Sequence, residues 1–199
     1  MTKTLWQCPA IALLTAAALV CGSAAYAQTQ PPKQTPPAPQ AQKKPAKPEP
    51  TEQAVLLGQF GDWGAYKAAP GGKKVCFALA KPSAMTTEPA GRPRDPSYAF
   101  ISTRPAEKVK NEVSMIVGYP QKAGVDASAA IGSASYVMYT QNDGAWVKNA
   151  AEEVQMVDAM RKGTDLVVKS VSALGTKTTD TYSLKGLAEA LDKVAQECK

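Results

Sequence analysis

The sequence predicts a mainly β domain over residues 55–199, with two peripheral helices, the second of them C-terminal. From Val55 onward, short apolar runs alternate with turn residues at intervals of roughly a dozen positions, which is typical of antiparallel strands. Two longer segments repeat their apolar residues every three or four positions, as amphipathic helices do. The residues before Val55 show neither pattern, and we expect them to lie outside the domain.

The beginning of the chain, residues 1–27, has the features of a secretory signal peptide. Lys3 precedes an apolar run over residues 10–20, and the AYA at residues 25–27 matches an A-x-A cleavage site. A retained anchor is the less favoured alternative, because a spanning helix needs roughly 18 apolar residues. Lipidation of Cys21 is another alternative, but a valine precedes it instead of a small residue. We therefore expect an exported protein, in the periplasm, on the outer surface or secreted, with no transmembrane segment after cleavage.

Residues 28–54 are predicted to form a disordered Pro/Lys/Gln-rich tether. Residues 28–53 contain eight prolines but no glycine, aromatic or branched aliphatic residue. Such a segment buries too little apolar surface to fold, and its prolines favour an extended polyproline II conformation. Its four lysines and two glutamates leave two interpretations open, a plain spacer or a segment that binds an anionic envelope polymer.

Strands are predicted wherever apolar residues alternate between turns. Residues 73–81 are apolar on both faces, which predicts a central strand. The pair Asp143-Gly144 predicts a tight hairpin between two strands, because Asp-Gly tolerates the positive φ angles of such a turn. The remaining predicted strands cover residues 97–103, 111–119, 134–140, 145–148, 165–171 and 179–184.

The first predicted helix covers residues 150–162. Asn149 is a candidate N-cap with Glu152 three residues later, and Gly163 is the predicted stop. We expect the buried face of this helix to contain Val154, Val157 and Met160.

The second predicted helix follows Ser183, which we interpret as its N-cap. One stripe of this helix is formed by Leu187, Ala190, Leu191, Val194 and Cys198. Cys198 therefore ends the buried face, where a bond to the alanine-lined face of the Cys76 strand would fix the helix on the sheet.

Signal cleavage would leave two of the four cysteines, Cys76 and Cys198, in an oxidising compartment. A disulfide between them is the simplest expectation, and two separate buried thiols are the alternative. No metal site and no cofactor are expected, because zinc usually takes three or four protein ligands and the chain has no histidine. The net charge of +6 is spread along the chain, so no nucleic-acid surface is predicted either.

The absence of histidine also excludes Ser-His-Asp and Cys-His catalysis. A Ser-Lys pair at Ser183 and Lys185 is less favoured than capping, and Asp143, Asp165 and Asp180 are interpreted as turn formers. We therefore expect a protein that is not an enzyme and binds a macromolecule. The alternatives are a hydrolase of envelope polymer that uses paired carboxylates and a periplasmic carrier of a small ligand.

The most polar irregular segment is residues 81–98, which is long for a connection between two strands. Long loops on rigid scaffolds often carry function. Arg92, Arg94 and Asp95 are accordingly candidate partner-binding residues. The alternative is a merely flexible connection, or local pairing of Arg94 with Asp95.

Several short blocks in the same order resemble the invasion-associated locus B family of exported bacterial proteins. They are FGDW (60–63), VCFALAKP (75–82), RDPSYAFISTRP (94–105), NEVSMIVGYP (111–120), AW (145–146), MRKGTDLVVKS (160–170), DTYSLKGL (180–187) and Cys198. The resemblance implies an immunoglobulin-like β-sandwich with peripheral helices and, as partner, an envelope or host-surface macromolecule. It implies no catalytic residues. The apolar turn at residues 172–176 departs from the family, which tends to have a basic or polar residue before its Gly-Thr.

Overall fold

The structure is a computed structural model that describes residues 53–199. The predicted signal peptide and nearly all of the predicted tether lie outside the described residues. Strands dominate the described part, which contains two α-helices, and the second helix follows the last strand. The prediction of a mainly β domain with a C-terminal second helix is therefore confirmed.

The described part of the chain contains eleven strands. They are β1 (Val55–Phe60), β2 (Trp63–Ala68), β3 (Val75–Ala80), β4 (Ala84–Glu88), β5 (Tyr98–Arg104), β6 (Val109–Ile116), β7 (Ala127–Ile131), β8 (Ala134–Gln141), β9 (Gly144–Val147), β10 (Asp165–Val171) and β11 (Lys177–Ser183). Helix α1 is Ala150–Lys162 and helix α2 is Leu187–Glu197. The sequence patterns did not single out β1, β2, β4 and β7.

All eleven strands belong to one antiparallel sheet, in the order β1-β2-β3-β5-β6-β9-β8-β7-β10-β11-β4. Strands β3 and β4 are third and last in this order, yet only residues 81–83 connect them. A flat sheet would separate these strands by about 38 Å, whereas the connection reaches about 14 Å. The sheet must therefore fold over on itself into two facing layers, which agrees with the predicted sandwich.

Contacts between distant strands in the order close the two layers against each other. The indole Nε1 of Trp63, in β2, donates to the carbonyl of Ser183 at the end of β11 at 2.9 Å. Next to it, the amide of Asp62 donates to the carbonyl of Lys185 at 3.0 Å. Both layers belong to one continuous hydrogen-bonded sheet. An immunoglobulin domain, by contrast, has two separate sheets.

Helix α2 packs on the inner face of the first layer, by which we mean strands β1, β2, β3 and β5. All five residues of its predicted stripe are buried, and Cys198 forms a disulfide with Cys76 of β3 at a Cα–Cα distance of 5.9 Å. As predicted, β3 lies inside the sheet, between β2 and β5, and Cys76, Ala78 and Ala80 are the residues it buries.

The start of α2 differs from the prediction. Ser183 is the last residue of β11 and not the helix cap, because the chain needs a further turn before the helix begins at Leu187. Gly186 precedes the helix with φ at 87°, and a Cβ there would lie 2.0 Å from the carbonyl oxygen of Phe60. Only glycine fits this close approach.

Helix α1 has the predicted ends. Asn149 is the N-cap, with its side chain accepting from the Glu152 amide at 2.9 Å, and Gly163 ends the helix. The expectation for Val154 was wrong, because its side chain is 63% exposed and Met156 is buried in its place. In the first turn the side chain of Glu153, not that of Val154, faces the sheet and contacts β6.

The predicted hairpin between β8 and β9 is confirmed. Gln141 pairs with Gly144, so the two turn residues are Asn142 and Asp143. The positive φ, 55°, is at Asn142, and Gly144 already belongs to β9. Strands β10 and β11 also form an antiparallel pair, across the turn that contains Gly175.

Candidate functional site

The segment of residues 81–98 is only partly a loop. Its residues Ala84–Glu88 form β4, which pairs with β11 at the edge of the sheet. The prediction of one irregular segment was therefore wrong, since the paired residues of the partner strand lie 89 to 97 positions further along the chain. The remaining loop, residues 89–97, carries the three predicted partner-binding residues.

Arg94 lies at the base of this loop in a buried ion pair. Its side chain is 8% exposed, and its guanidinium makes a two-pronged contact with the carboxylate of Asp180, with Nη1–Oδ2 at 2.9 Å. Nη1 also donates to the carbonyl of Val117 at 3.2 Å. The predicted pairing of Arg94 with Asp95 is wrong. Asp180 is likewise not a turn former, because it is 1% exposed within β11.

Two hydroxyl groups complete the surroundings of Asp180. Ser97 Oγ donates to Asp180 Oδ2 at 2.8 Å and lies 2.8 Å from the hydroxyl of Tyr182. Burial raises the pKa of Tyr182 well above its ordinary value, so this hydroxyl keeps its proton. Burial lowers the pKa of Arg94, but the hydrogen bond and charge of Asp180 outweigh it and raise the pKa overall. The cluster is a satisfied polar network that fixes the loop to the sheet.

A cleft of about 500 Å³ lies directly outside this network. The ring of Tyr119 covers the Arg94 guanidinium at 5.9 Å, and its hydroxyl is hydrogen-bonded to that of Thr178. The cleft is lined by Thr87, Arg92, Pro93, Arg94, Tyr119, Pro120, Ser172, Ala173, Leu174, Thr176 and Thr178. Its walls therefore come from three stretches of the sequence, namely residues 87–94, residues 119–120 and residues 172–178.

The turn between β10 and β11 projects an apolar side chain beside the cleft. Leu174 is 94% exposed. The turn that holds it is closed by hydrogen bonds from the amides of Thr176 and Gly175 to Ser172, with N–Oγ at 3.1 Å and N–O at 2.8 Å. A further bond joins the Ser172 amide to the Thr176 carbonyl at 2.8 Å. The exposed leucine is thus presented by an ordered turn.

The three predicted residues have different positions around the cleft. Arg92 is exposed and lines the cleft, Arg94 forms its floor, and Asp95 is exposed outside the lining. The backbone of Asp95 fixes the loop, since its amide donates to the carbonyl of Gly118 at 3.0 Å. Tyr119 and Leu174 were not predicted as site residues. The apolar turn around Leu174 was the sequence signal that pointed to this place.

A second group of charged residues, next to α1, contains the carboxylates of Glu112 and Glu153. Arg104 binds both oxygens of Glu112, at 3.1 and 2.9 Å, and Glu153 accepts from the amide of Val113 at 2.8 Å. Burial raises the pKa of Glu153 above its ordinary value, and the negative charge of Glu112 adds to that, while the hydrogen bond from Val113 opposes it. Within residues 53–199, no three carboxylate or thiol groups are arranged to hold a metal ion.

Comparison with known proteins gives one match. The family model described as invasion associated locus B protein matches residues 67–195, which includes β3, the cleft and nearly all of α2. No curated protein and no solved structure matches the chain. No helix in the described part of the chain is long and apolar enough to cross a membrane. Because the match covers more than half of the sequence, the chain belongs to the invasion associated locus B family.

Proposed function

We propose that this protein is a non-enzymatic, exported interaction module that binds a macromolecule of the bacterial envelope or of a host surface through the cleft. The observation that carries this proposal is the position of Leu174, which is 94% exposed on an ordered turn at the side of the cleft. In the lining of the cleft Leu174 is joined by Pro93, Pro120 and Ala173, and contiguous apolar surface with a polar rim is typical of protein interaction sites.

The chemistry of the cleft suits a macromolecular partner. Leu174, Pro93 and Pro120 supply apolar surface, and Arg92 supplies an exposed cation at the rim. An apolar centre with an arginine at its edge is the arrangement in which interfaces concentrate their binding energy. The ion pair of Arg94 and Asp180 holds this surface in place before binding, which lowers the entropy cost of association.

The cleft volume also supports the alternative of a small-ligand carrier, because sites for small molecules have volumes of roughly 300–1,000 Å³. The exposure of Leu174 favours a macromolecule, since a small ligand in the cleft would leave most of this side chain in contact with solvent.

A non-enzymatic role is supported by the uses of the available side chains. The chain has no histidine, and the two carboxylates that influence each other, Glu112 and Glu153, are bound by Arg104 and by a backbone amide. The hydrolase alternative would need two carboxylates that are free to transfer a proton and to attack. Export is supported by the predicted signal peptide and by the disulfide, which is typical of oxidising compartments.

The test is site-specific crosslinking in the cells that produce the protein. A photo-crosslinking residue at position 173, beside Leu174, is expected to capture a defined envelope or host macromolecule. Leu174→Ser should reduce the capture at least tenfold and Arg92→Ala should reduce it severalfold, because they remove the apolar contact and the rim charge.

The matched control is Val154→Ser, which removes another exposed apolar side chain, on α1 and outside the cleft. It should leave the capture unchanged. Equal capture by the wild type and Leu174→Ser would contradict the proposed site, and turnover of an envelope polymer that is lost in Glu153→Gln would favour the hydrolase alternative. Recovery of a bound small molecule instead of a crosslinked macromolecule would favour the carrier.

A further inference from the structure

The outer face of the first layer carries a row of aromatic side chains. Tyr66 in β2 stacks on Phe77 in β3 with ring centroids 5.4 Å apart, and Phe77 lies 5.8 Å from Phe100 in β5. Tyr98 continues the row at 6.1 Å from Phe100. All four rings are partly exposed, and α2 packs on the opposite face of the same strands, against the alternate residues such as Ala78. Four adjoining rings thus face solvent.

The orientation of Tyr66 is set by a glycine two residues earlier on the same face. A Cβ at Gly64 would lie 2.6 Å from Cε2 of Tyr66, so the ring leans back along the strand and lies over the glycine backbone. Trp146 does the same in β9, where a Cβ at Gly144 would lie 2.2 Å from its Cη2. The Tyr66 and Phe77 rings are nearly parallel, at 13°, whereas Phe100 is tilted by 50° to Phe77, so the row offers rings to a ligand at more than one angle.

A polar cleft of about 400 Å³ adjoins the row, with Tyr66 in its lining and its Lys81 over the Tyr98 ring. Exposed side chains of Gln59, Asp62, Lys81 and Ser83 contribute to its lining, with Tyr66 as an aromatic wall. Neither Asp62 nor Lys81 forms an ion pair with another described residue, although the Lys81 ammonium lies over the Tyr98 ring, 6.0 Å from its centroid, and both groups keep hydrogen-bonding capacity for a ligand. Their charges are opposite, and the cleft as a whole has no strong preference for an anion or a cation.

We propose that this face binds a neutral polysaccharide built of pyranose rings. One side of a pyranose carries C–H groups with slight positive charge, which are attracted to the negative face of an aromatic ring. Hydroxyl groups around the edge of each sugar need hydrogen-bond partners, and the amide, carboxylate and ammonium groups of Gln59, Asp62 and Lys81 offer both donors and acceptors. A row of rings that continues into a polar cleft supplies both contacts to consecutive sugar units.

The same features disfavour other occupants. A second copy or an apolar peptide would leave Asp62 and Lys81 without hydrogen-bond partners in the buried contact, which costs free energy. An anionic polymer would gain from Lys81 but be repelled by Asp62. None of the residues that line the polar cleft lines the cleft beside Leu174, so this inference does not rest on the proposed function.

The experiment measures retention of the purified full chain on insoluble chitin and on cellulose, followed by titration with chitohexaose. The wild type is expected to bind at least one of these probes. Tyr66→Leu and Phe77→Leu keep an apolar side chain but lose the ring, and they should weaken binding at least tenfold. Tyr66→Phe keeps the ring and is the matched control, so it should bind within about threefold of the wild type. Circular dichroism verifies that each variant is folded.

Absence of wild-type binding to all three probes would overturn the inference, and so would equal binding by the wild type and Phe77→Leu. A dimer of the wild type that is lost in Phe77→Leu, detected by analytical ultracentrifugation, would assign the face to a second copy. Loss of polysaccharide binding with intact crosslinking at position 173 would separate this site from the proposed cleft.

Discussion

The two faces of the first layer differ in the size of their side chains. On the inner face, under α2, the small residues Ala65, Ala78 and Ala99 are completely buried in the middle of the strands, and Trp63 is buried at the start of β2. The outer face of the same strands carries Tyr66 and Phe77, which remain partly exposed. A ring contributes most to stability where it is completely buried, as Trp63 is, so the partly exposed Tyr66 and Phe77 contribute less than they would in the interior.

This difference indicates that the side chains of the inner face serve packing against α2, whereas those of the outer face do not. Alanines on the sheet allow the leucines of α2 to approach the backbone closely, so the helix supplies the bulk that the strands lack. The rings on the other face are not needed to fill the interior. The inner face therefore accounts for stability, and the outer face is free to serve binding.

The largest expected effect concerns the polar part of the interior. Asp180→Ala leaves Arg94 buried without its counter-charge, and we expect a loss of about 3–5 kcal/mol in the free energy of unfolding. Urea unfolding at pH 7 measures it. Asp165→Ala, at the exposed start of β10, is the matched control and should change stability by less than about 0.5 kcal/mol. A similar small effect of Asp180→Ala would show that Arg94 reaches solvent.

A smaller effect is expected where α2 contacts the alanines. Ala78→Leu adds three carbon atoms to a filled space, which should cost about 1–3 kcal/mol through displacement of the helix. Thermal unfolding followed by circular dichroism detects this as a lower Tm. No change in Tm would mean that α2 is less closely packed on β3 than the structure shows.

On its outer face, β3 should tolerate a substitution with a smaller loss of stability. Phe77→Leu is expected to cost less than about 1.5 kcal/mol, because the ring is only partly buried and leucine keeps much of the apolar contact. The comparison with Ala78→Leu is the informative one, since the two positions are adjacent in β3. A larger loss for Phe77→Leu than for Ala78→Leu would reverse the assignment of the two faces.

The smallest effect is a change in pH dependence at Glu153. Burial raises the pKa of this carboxyl in the folded state above its ordinary value of 4.5, so ionisation near neutral pH opposes folding. That cost is removed when the carboxyl is protonated, as the pH falls through the folded-state pKa. Glu153→Gln keeps an acceptor for the Val113 amide, and it should be at least as stable as the wild type at pH 7.

Urea unfolding at several pH values between 7 and 4 provides the measurement. The advantage of Glu153→Gln should shrink as the pH falls. An advantage that grows toward acid pH would mean that the folded-state pKa of Glu153 is lowered instead of raised.

Local patterns in the sequence predicted the elements whose determinants lie close together along the chain. The stripe that ends at Cys198 predicted α2, and Asn149 with Gly163 predicted the ends of α1. The hairpin of β8 and β9 was predicted for the same reason. The candidate loop was also located, because its prolines and arginines lie within one segment.

Features fixed by distant residues were not predictable in this way. Strand β4 is short and polar, and only its pairing with β11 makes it a strand. Asp180 has the local sequence of a turn residue, and its burial follows from Arg94, 86 residues away. The same holds for the aromatic row, since the neighbours of Phe77 are set by the order of β2, β3 and β5.

The short connection between β3 and β4 has a consequence for the order of folding. It places β4 early in the chain, but the strand that pairs with it, β11, is made last of all the strands. Pairing across so many residues is slow to form. The folding chain therefore passes through a stage in which an unpaired strand edge needs protection from other chains, and pairing with β11 ends it.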